Sequence, residues 1–154
     1  MTNRFTKSFV VAAGLLAAPE VAGPLSAEVD LDPREVRLRA FLASKSSPIE
    51  HLAPDFVEAA DQNALDWRLL PSISMVESSG GKYKKGNNIF GWANCERRFP
   101  SVRHGIHLVA RRLAESPHYR GKSIEGKLRT YNPRAEYTLA VKRFMREIGP
   151  PTLN

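Results

Sequence analysis

The residues able to do chemistry gather in one stretch, Leu65 to Trp92, LDWRLLPSISMVESSGGKYKKGNNIFGW. An apolar run from Leu69 to Val76 delivers a single carboxylate, Glu77, and the chain then breaks at Ser78-Ser79-Gly80-Gly81. Beyond a short basic segment lies a polar and aromatic patch, Asn87-Asn88-Ile89-Phe90-Gly91-Trp92. Apolar neighbours disfavour the carboxylate anion, and the negative end of a helix dipole does the same. Lys82, Lys84 and Lys85 pull the other way if they approach. An acid kept protonated near neutral pH can give its proton to a leaving oxygen. A surface glutamate at a helix end has the same sequence signature, so position alone leaves both readings open.

The patch that follows suits a hydroxyl-rich ligand. Asn88, with Asn87, can donate to and accept from hydroxyl and acetamido groups. Trp92 and Phe90 can stack on the apolar face of a sugar ring or fill core, and Phe90 reads first as core. Downstream, Tyr119, Tyr131 and Tyr137 add rings with polar tips, Tyr131 read as a loop residue before proline and Tyr137 on an apolar helical stripe. A second acid is harder to find. Glu115, Glu125 and Glu147 have basic neighbours on helices, as solvated ion-pairing residues do, and Glu136 reads as structural. Glu96, in the irregular WANCERRFP segment, is the candidate second acid, although Arg97 and Arg98 give it another reason to be there.

Three segments, VESSGGK, NNIFGW and TYNPRAEY, together resemble the glucosaminidase (mannosyl-glycoprotein endo-β-N-acetylglucosaminidase-like) family of the lysozyme-like superfamily. These are bacterial hydrolases of peptidoglycan glycan strands, and the resemblance spans roughly residues 65–148. It implies a mainly α, lysozyme-like domain with a substrate groove and at most a minimal β-hairpin. Glu77 would be the catalytic acid, and Tyr131 would orient the reacting sugar or water. Ser78, Asn88, Phe90, Trp92, Tyr119 and Tyr137 would contact substrate, with Glu96 as second acid. The implied activity is cleavage of β-1,4 bonds as an endo-β-N-acetylglucosaminidase. A lytic transglycosylase making 1,6-anhydro-muramic ends from the same glutamate is the alternative, and a non-catalytic peptidoglycan-binding domain is the third reading. The chain departs from larger relatives in its short segment between Trp92 and Phe99, which leaves little room for a β-lobe.

The elements that must position these residues are helical. Asp32-Pro33-Arg34-Glu35 predicts a capped helix to about Ser44, with Val36, Leu38, Phe41 and Leu42 only partly sharing a face. Ser47-Pro48-Ile49-Glu50 repeats the capping pattern, and a further helix runs from Pro54 to about Asn63. Asp66 predicts the start of the central helix, whose apolar residues on more than one face require burial. A strand over Ile73–Val76 is not distinguished by periodicity, and Gly80-Gly81 stops either element. Ser101 caps a helix to about Glu115 with Val102, Ile106, Val109 and Leu113 inward and Arg103, Arg111 and Arg112 outward. Ser123 starts a short helix, and Pro133 opens the last one, striped by Tyr137, Ala140, Val141, Phe144 and Ile148.

Composition narrows the class. With 154 residues, 42% apolar and 25% charged, the chain fits one ordinary globular domain. Its net charge of +7 is uneven: Lys82–Arg146 holds sixteen bases and four acids, which suits an anionic polymer. No nucleic-acid reading motif accompanies it, so peptidoglycan rather than nucleic acid is the expected partner, for a monomer. One cysteine, Cys95, excludes an intrachain disulfide. His51, His104, His107 and His118 are dispersed; His104 and His107 lack a third ligand at suitable spacing, so no metal and no cofactor are expected. Arg4 and Lys7 precede an apolar run, Ser8 to Ala18, in the layout of a secretory signal peptide. Residues 1–27 are read as that signal, with cleavage near Ser26-Ala27, and residues 28–154 as the domain. Export to the periplasm or outside the cell follows, with membrane contact only through an uncleaved leader.

Overall fold

Capping side chains set the starts of three helices in the computed structural model, which describes residues 31–94 and 96–152. The expected leader, residues 1–27, and Cys95 lie outside the described residues. Six α-helices are described: α1 (Pro33–Ser44), α2 (Ala53–Gln62), α3 (Leu69–Ser78), α4 (Val102–Glu115), α5 (Ile124–Tyr131) and α6 (Ala135–Ile148). A 3₁₀ turn, Glu50–Leu52, precedes α2. Among the described residues no strand forms, and an isolated antiparallel bridge joins Lys85 and Asn88. The mainly α class expected from the pattern is what is found.

The Asp32 carboxylate accepts from Arg34 N at 2.8 Å, Ser101 Oγ from His104 N at 3.1 Å and Ser123 Oγ from Gly126 N at 3.2 Å. Each satisfies a helix N–H that has no intrahelical acceptor. Two expected caps do something else. Ser47 leaves the 3₁₀ turn without a side-chain cap and donates its hydroxyl to Gly80 O at 2.6 Å. Asp66 holds the turn before α3, accepting from Arg68 N and pairing with the Arg68 guanidinium at 2.6 Å. Arg68 also donates to Gly149 O, and Trp67 Nε1 to Pro151 O, so the start of α3 grips the chain beyond α6.

α3 is the central element, buried at every position from Leu69 to Met75. That is the helix its many-sided apolar sequence requires, and the strand alternative is not realised. It packs chiefly on α6, while α2 packs on α4 and α1. One continuous core results, with Leu38, Phe56, Ile73, Ile106 and Val141 at its centre. Val36 stays 50% exposed, which is why the α1 pattern could not close on one face.

The stop of α3 fixes where Glu77 lies. Ser79 is left-handed at φ 51° and its N–H returns to Met75 O, while Gly80 N returns to Ser74 O at 3.0 Å. Gly80 is also left-handed, at φ 66°, and a Cβ there would stand 2.9 Å from Met75 Sδ and 3.0 Å from Ser47 Oγ. Gly80→Ala is therefore expected to destabilise by roughly 2 kcal/mol or more, combining left-handed strain with overpacking. Urea unfolding checks this: the midpoint should fall with an unchanged slope, and an unmoved midpoint would contradict the packing described.

Candidate active site

Glu77, the next-to-last residue of α3, is half-buried. Its carboxylate lies against the backbone of Gly91: a Cβ added at Gly91 would stand 2.6 Å from Oε2. Gly91 has φ +60°, so both its backbone and its missing side chain suit this approach. Burial is the main cause of a Glu77 pKa above the ordinary glutamate range, and the Tyr137 hydroxyl partly offsets it. Tyr137, on α6, is held neutral well above its usual range by its own burial first, then by Tyr131 and Glu77. Its hydroxyl makes no hydrogen bond of normal geometry, yet it lies near enough to Glu77 to act on the carboxylate as a donor does.

Gly91 also forms part of an open cleft of about 500 Å³, walled by Trp92, Asn94, His118, Tyr119, Thr130 and Tyr131 among others. Three rings meet there. Trp92 stands edge-on to Tyr131 with centroids 5.6 Å apart and 6.2 Å from Tyr119. Tyr131 then stacks on Tyr137 at 5.8 Å and 9°, so a continuous aromatic path runs from the cleft wall to the residue facing Glu77. The Tyr131 hydroxyl donates to Phe90 O. Tyr131 is the last residue of α5, not a loop residue as its Asn-Pro neighbours suggested. Tyr119 is half-buried in the wall, and burial raises its pKa so that it stays a neutral phenol.

Several residues expected at the substrate are found holding the site together instead. Ser78 is buried; its hydroxyl donates to Ile89 O at 2.8 Å and accepts from Gly81 N at 3.0 Å. Asn88 is 2% exposed, and its amide bonds Phe90 N, Trp92 N, Trp92 O and Arg97 O. Both donors and both lone pairs of the Asn88 amide are used, and the one Ser78 hydroxyl proton is given to backbone. Phe90 is wholly buried in the core, and Tyr137, 7% exposed, reaches Glu77 rather than the cleft surface. Glu96 is exposed in a turn and is not among the cleft walls. Glu125 and Glu147 pair with Arg129 and Lys45, as solvated acids on helices do.

Two positions carry no role of their own in the sequence, although Gly91 lies within NNIFGW. Gly91 reads as an ordinary turn glycine. Lys127 looks like one more base in a basic segment, yet it is buried and donates to Leu113 O at 2.7 Å and Tyr119 O at 2.8 Å. It thereby fastens the turn carrying His118 and Tyr119 to the end of α4, and burial lowers its pKa. Elsewhere, packing of α2 on α4 brings Asp55 and Glu58 each within 3.9 Å of His107 Nε2. These three atoms could approach one cation, but Arg103 already stands 2.7 Å from the same Asp55 oxygen. The group is an ion-pair network between two helices.

No family model, curated protein or solved structure matches the chain.

The raised Glu77 pKa has a consequence for stability. An unfolded glutamate titrates near 4.5. Below that pH both states hold the proton, and Glu77 costs the fold nothing through ionisation. As pH rises from there through the raised folded value, the unfolded chain releases the proton first and stability falls. Glu77→Gln is therefore expected to melt higher than wild type at pH 7, with the gap closing toward pH 4. Calorimetric melts across that range test it, and a gap independent of pH would contradict the desolvated carboxylate.

Proposed function

We propose that this protein is a peptidoglycan hydrolase that cuts β-1,4 bonds of glycan strands as an endo-β-N-acetylglucosaminidase, with Glu77 as general acid. The observation that carries the reading is a half-buried carboxyl of raised pKa set against Gly91, which itself walls a cleft together with Trp92, Tyr119 and Tyr131. The resemblance of VESSGGK, NNIFGW and TYNPRAEY to the glucosaminidases supports the same reading. Rings at that spacing suit the apolar faces of pyranoses, while Asn94 and Thr130 can meet hydroxyls. The polymer lies outside the cytoplasm, so the reading goes with an exported protein.

In this mechanism Glu77 passes its proton to the glycosidic oxygen as the C1–O bond breaks. Positive charge then grows at C1. The cleft walls hold no carboxylate, Glu77 reaches them through Gly91, and Glu96 is exposed in a turn. The substrate's own 2-acetamido oxygen closes on C1, a recognised departure from the two-acid scheme. Water then opens that ring, giving a proton to the Glu77 carboxylate, and a reducing sugar leaves. The same lone acid favours a second reading: the sugar's 6-hydroxyl could close on C1 instead, giving a 1,6-anhydro end and a lytic transglycosylase.

Removing the proton donor should cost about a hundred- to ten-thousand-fold in rate. Glu77→Gln is thus expected to stay folded and lose nearly all wall-cleaving activity in a turbidity assay. Near wild-type turnover would end the proposal.

The products decide between the two routes. Purified peptidoglycan is digested, and half of the digest is reduced with borohydride. Fragments that gain two hydrogens at a terminal N-acetylglucosamine are expected. Anhydro-muramic ends indifferent to borohydride would replace hydrolysis with transglycosylation.

A further inference from the structure

The loop that walls the cleft also walls a second hollow. Its residues Gly91 to Asn94 face the cleft, while Asn87, Arg97, Arg98 and Phe99 line a separate hollow of about 440 Å³ together with Lys85 and Gly86. This second hollow is held in shape. The Asn87 amide donates to Phe99 O and to Pro100 O, both at 3.0 Å, and so ties its two sides together. An antiparallel bridge between Lys85 and Asn88 fixes the turn that carries Lys85.

Its charge is uncompensated. Some bases elsewhere meet acids, Arg34 with Asp32 and Asp61, Arg68 with Asp66, Arg103 with Asp55 and Lys45 with Glu147, while others such as Arg37, Arg111 and Arg134 stand singly on the surface. Among the described residues Lys85, Arg97 and Arg98 take part in no ion pair, and neither do Lys82 and Lys84. From Gly80 to Pro100 the chain has five bases and one acid, Glu96, which is exposed and not among the walls of the hollow. Like charges held together on a folded loop repel one another, and an anion seated between them removes that repulsion. Two guanidinium groups and an ammonium form a set of donors suited to carboxylate.

We infer that the Lys85–Arg97–Arg98 hollow is an anionic subsite that takes the carboxylates of the peptide stems carried by the glycan. The inference rests on the glycan-strand reading of the cleft. The sugar backbone of such a strand bears no charge of its own, so its anionic groups are on the branches. A strand lying against Gly91–Asn94 sends its branches past the loop that supplies the basic walls. The cleft then grips the backbone and the hollow selects strands that still carry stems.

The test uses uncross-linked glycan strands, either bearing stems or stripped of them by an amidase and then re-amidated at the lactyl carboxylates that stripping exposes, at low salt. Wild type is expected to show a KM lower on stem-bearing strands by about tenfold, as three exposed ion pairs acting together allow. The combined variant Lys85→Gln, Arg97→Gln, Arg98→Gln should lose that preference, its KM on stem-bearing strands rising to the stripped-strand value with kcat unchanged. Free stem peptide should compete with stem-bearing strands for wild type and not for the variant. An equal KM for wild type on both substrates would overturn the inference while leaving the cleavage reading intact, and so would a variant that keeps the preference. If wild type cuts neither strand, the glycosidase reading fails. The subsite is then judged by sedimentation of Glu77→Gln with the two kinds of strand, where equal binding overturns it and stem-dependent binding upholds it.

Discussion

The site depends on one side-chain amide. Asn88 accepts from Phe90 N and Trp92 N and donates to Trp92 O and Arg97 O, so a loop with no sheet to pair with is folded around a single residue. A buried polar group left unpaired costs about 1–3 kcal/mol, so a conformation that breaks several of these bonds is strongly disfavoured. The loop bends accordingly, with Gly91, Ala93 and Asn94 all at positive φ. Left-handed backbone at Ala93 is strained and persists because the surroundings impose it. From this one constraint come the close approach of Gly91 to Glu77, the outward placement of Trp92 and the basic walls beyond.

The opposite wall is secured by a different device. Lys127 brings a desolvated ammonium to two carbonyls, Leu113 O at the end of α4 and Tyr119 O in the turn that follows. The carbonyls at a helix C-terminus carry partial negative charge and welcome a cation. Tyr131, on α5 with Lys127, meets the loop folded on Asn88, its ring on Trp92 and its hydroxyl on Phe90 O. The cleft is thus shaped by groups that are bonded before any ligand arrives, and less ordering is required on binding.

What was legible in the sequence follows from range. Asp32, Ser101 and Ser123 act on N–H groups two or three residues away, and their helices begin where the sequence places them. The stripe of α6 and the many-sided burial of α3 are also local patterns. Ser47 and Asn88 have the same capping and turn-forming chemistry, but Ser47 bonds a carbonyl 33 residues distant. Nothing local separates it from Ser101. Asn88 was legible as polar and adjacent to the site, but whether its amide faces sugar or backbone is settled by how the loop closes. The roles of Gly91 and Lys127 were invisible for the same reason, since each is defined by a partner in another element.

Burial and hydrogen bonding pull Glu77 in opposite directions, and the geometry shows why burial prevails. The proposed general acid must keep its proton at working pH and still release it. Desolvation against Gly91 and the end of α3 raises the pKa, and a donor from Tyr137 tempers the rise. Tyr137 can play that part because its own proton is held far more tightly than that of an exposed phenol. It remains a donor over the whole range in which Glu77 titrates. The carboxylate formed when Glu77 ionises therefore meets a neutral hydroxyl on one side and glycine backbone on the other. A lysine reaching it would pull the pKa back down. The loop folded on Asn88 keeps the charged side chains of Lys85, Arg97 and Arg98 around the second hollow, and so separates that basic surface from the Glu77 carboxyl.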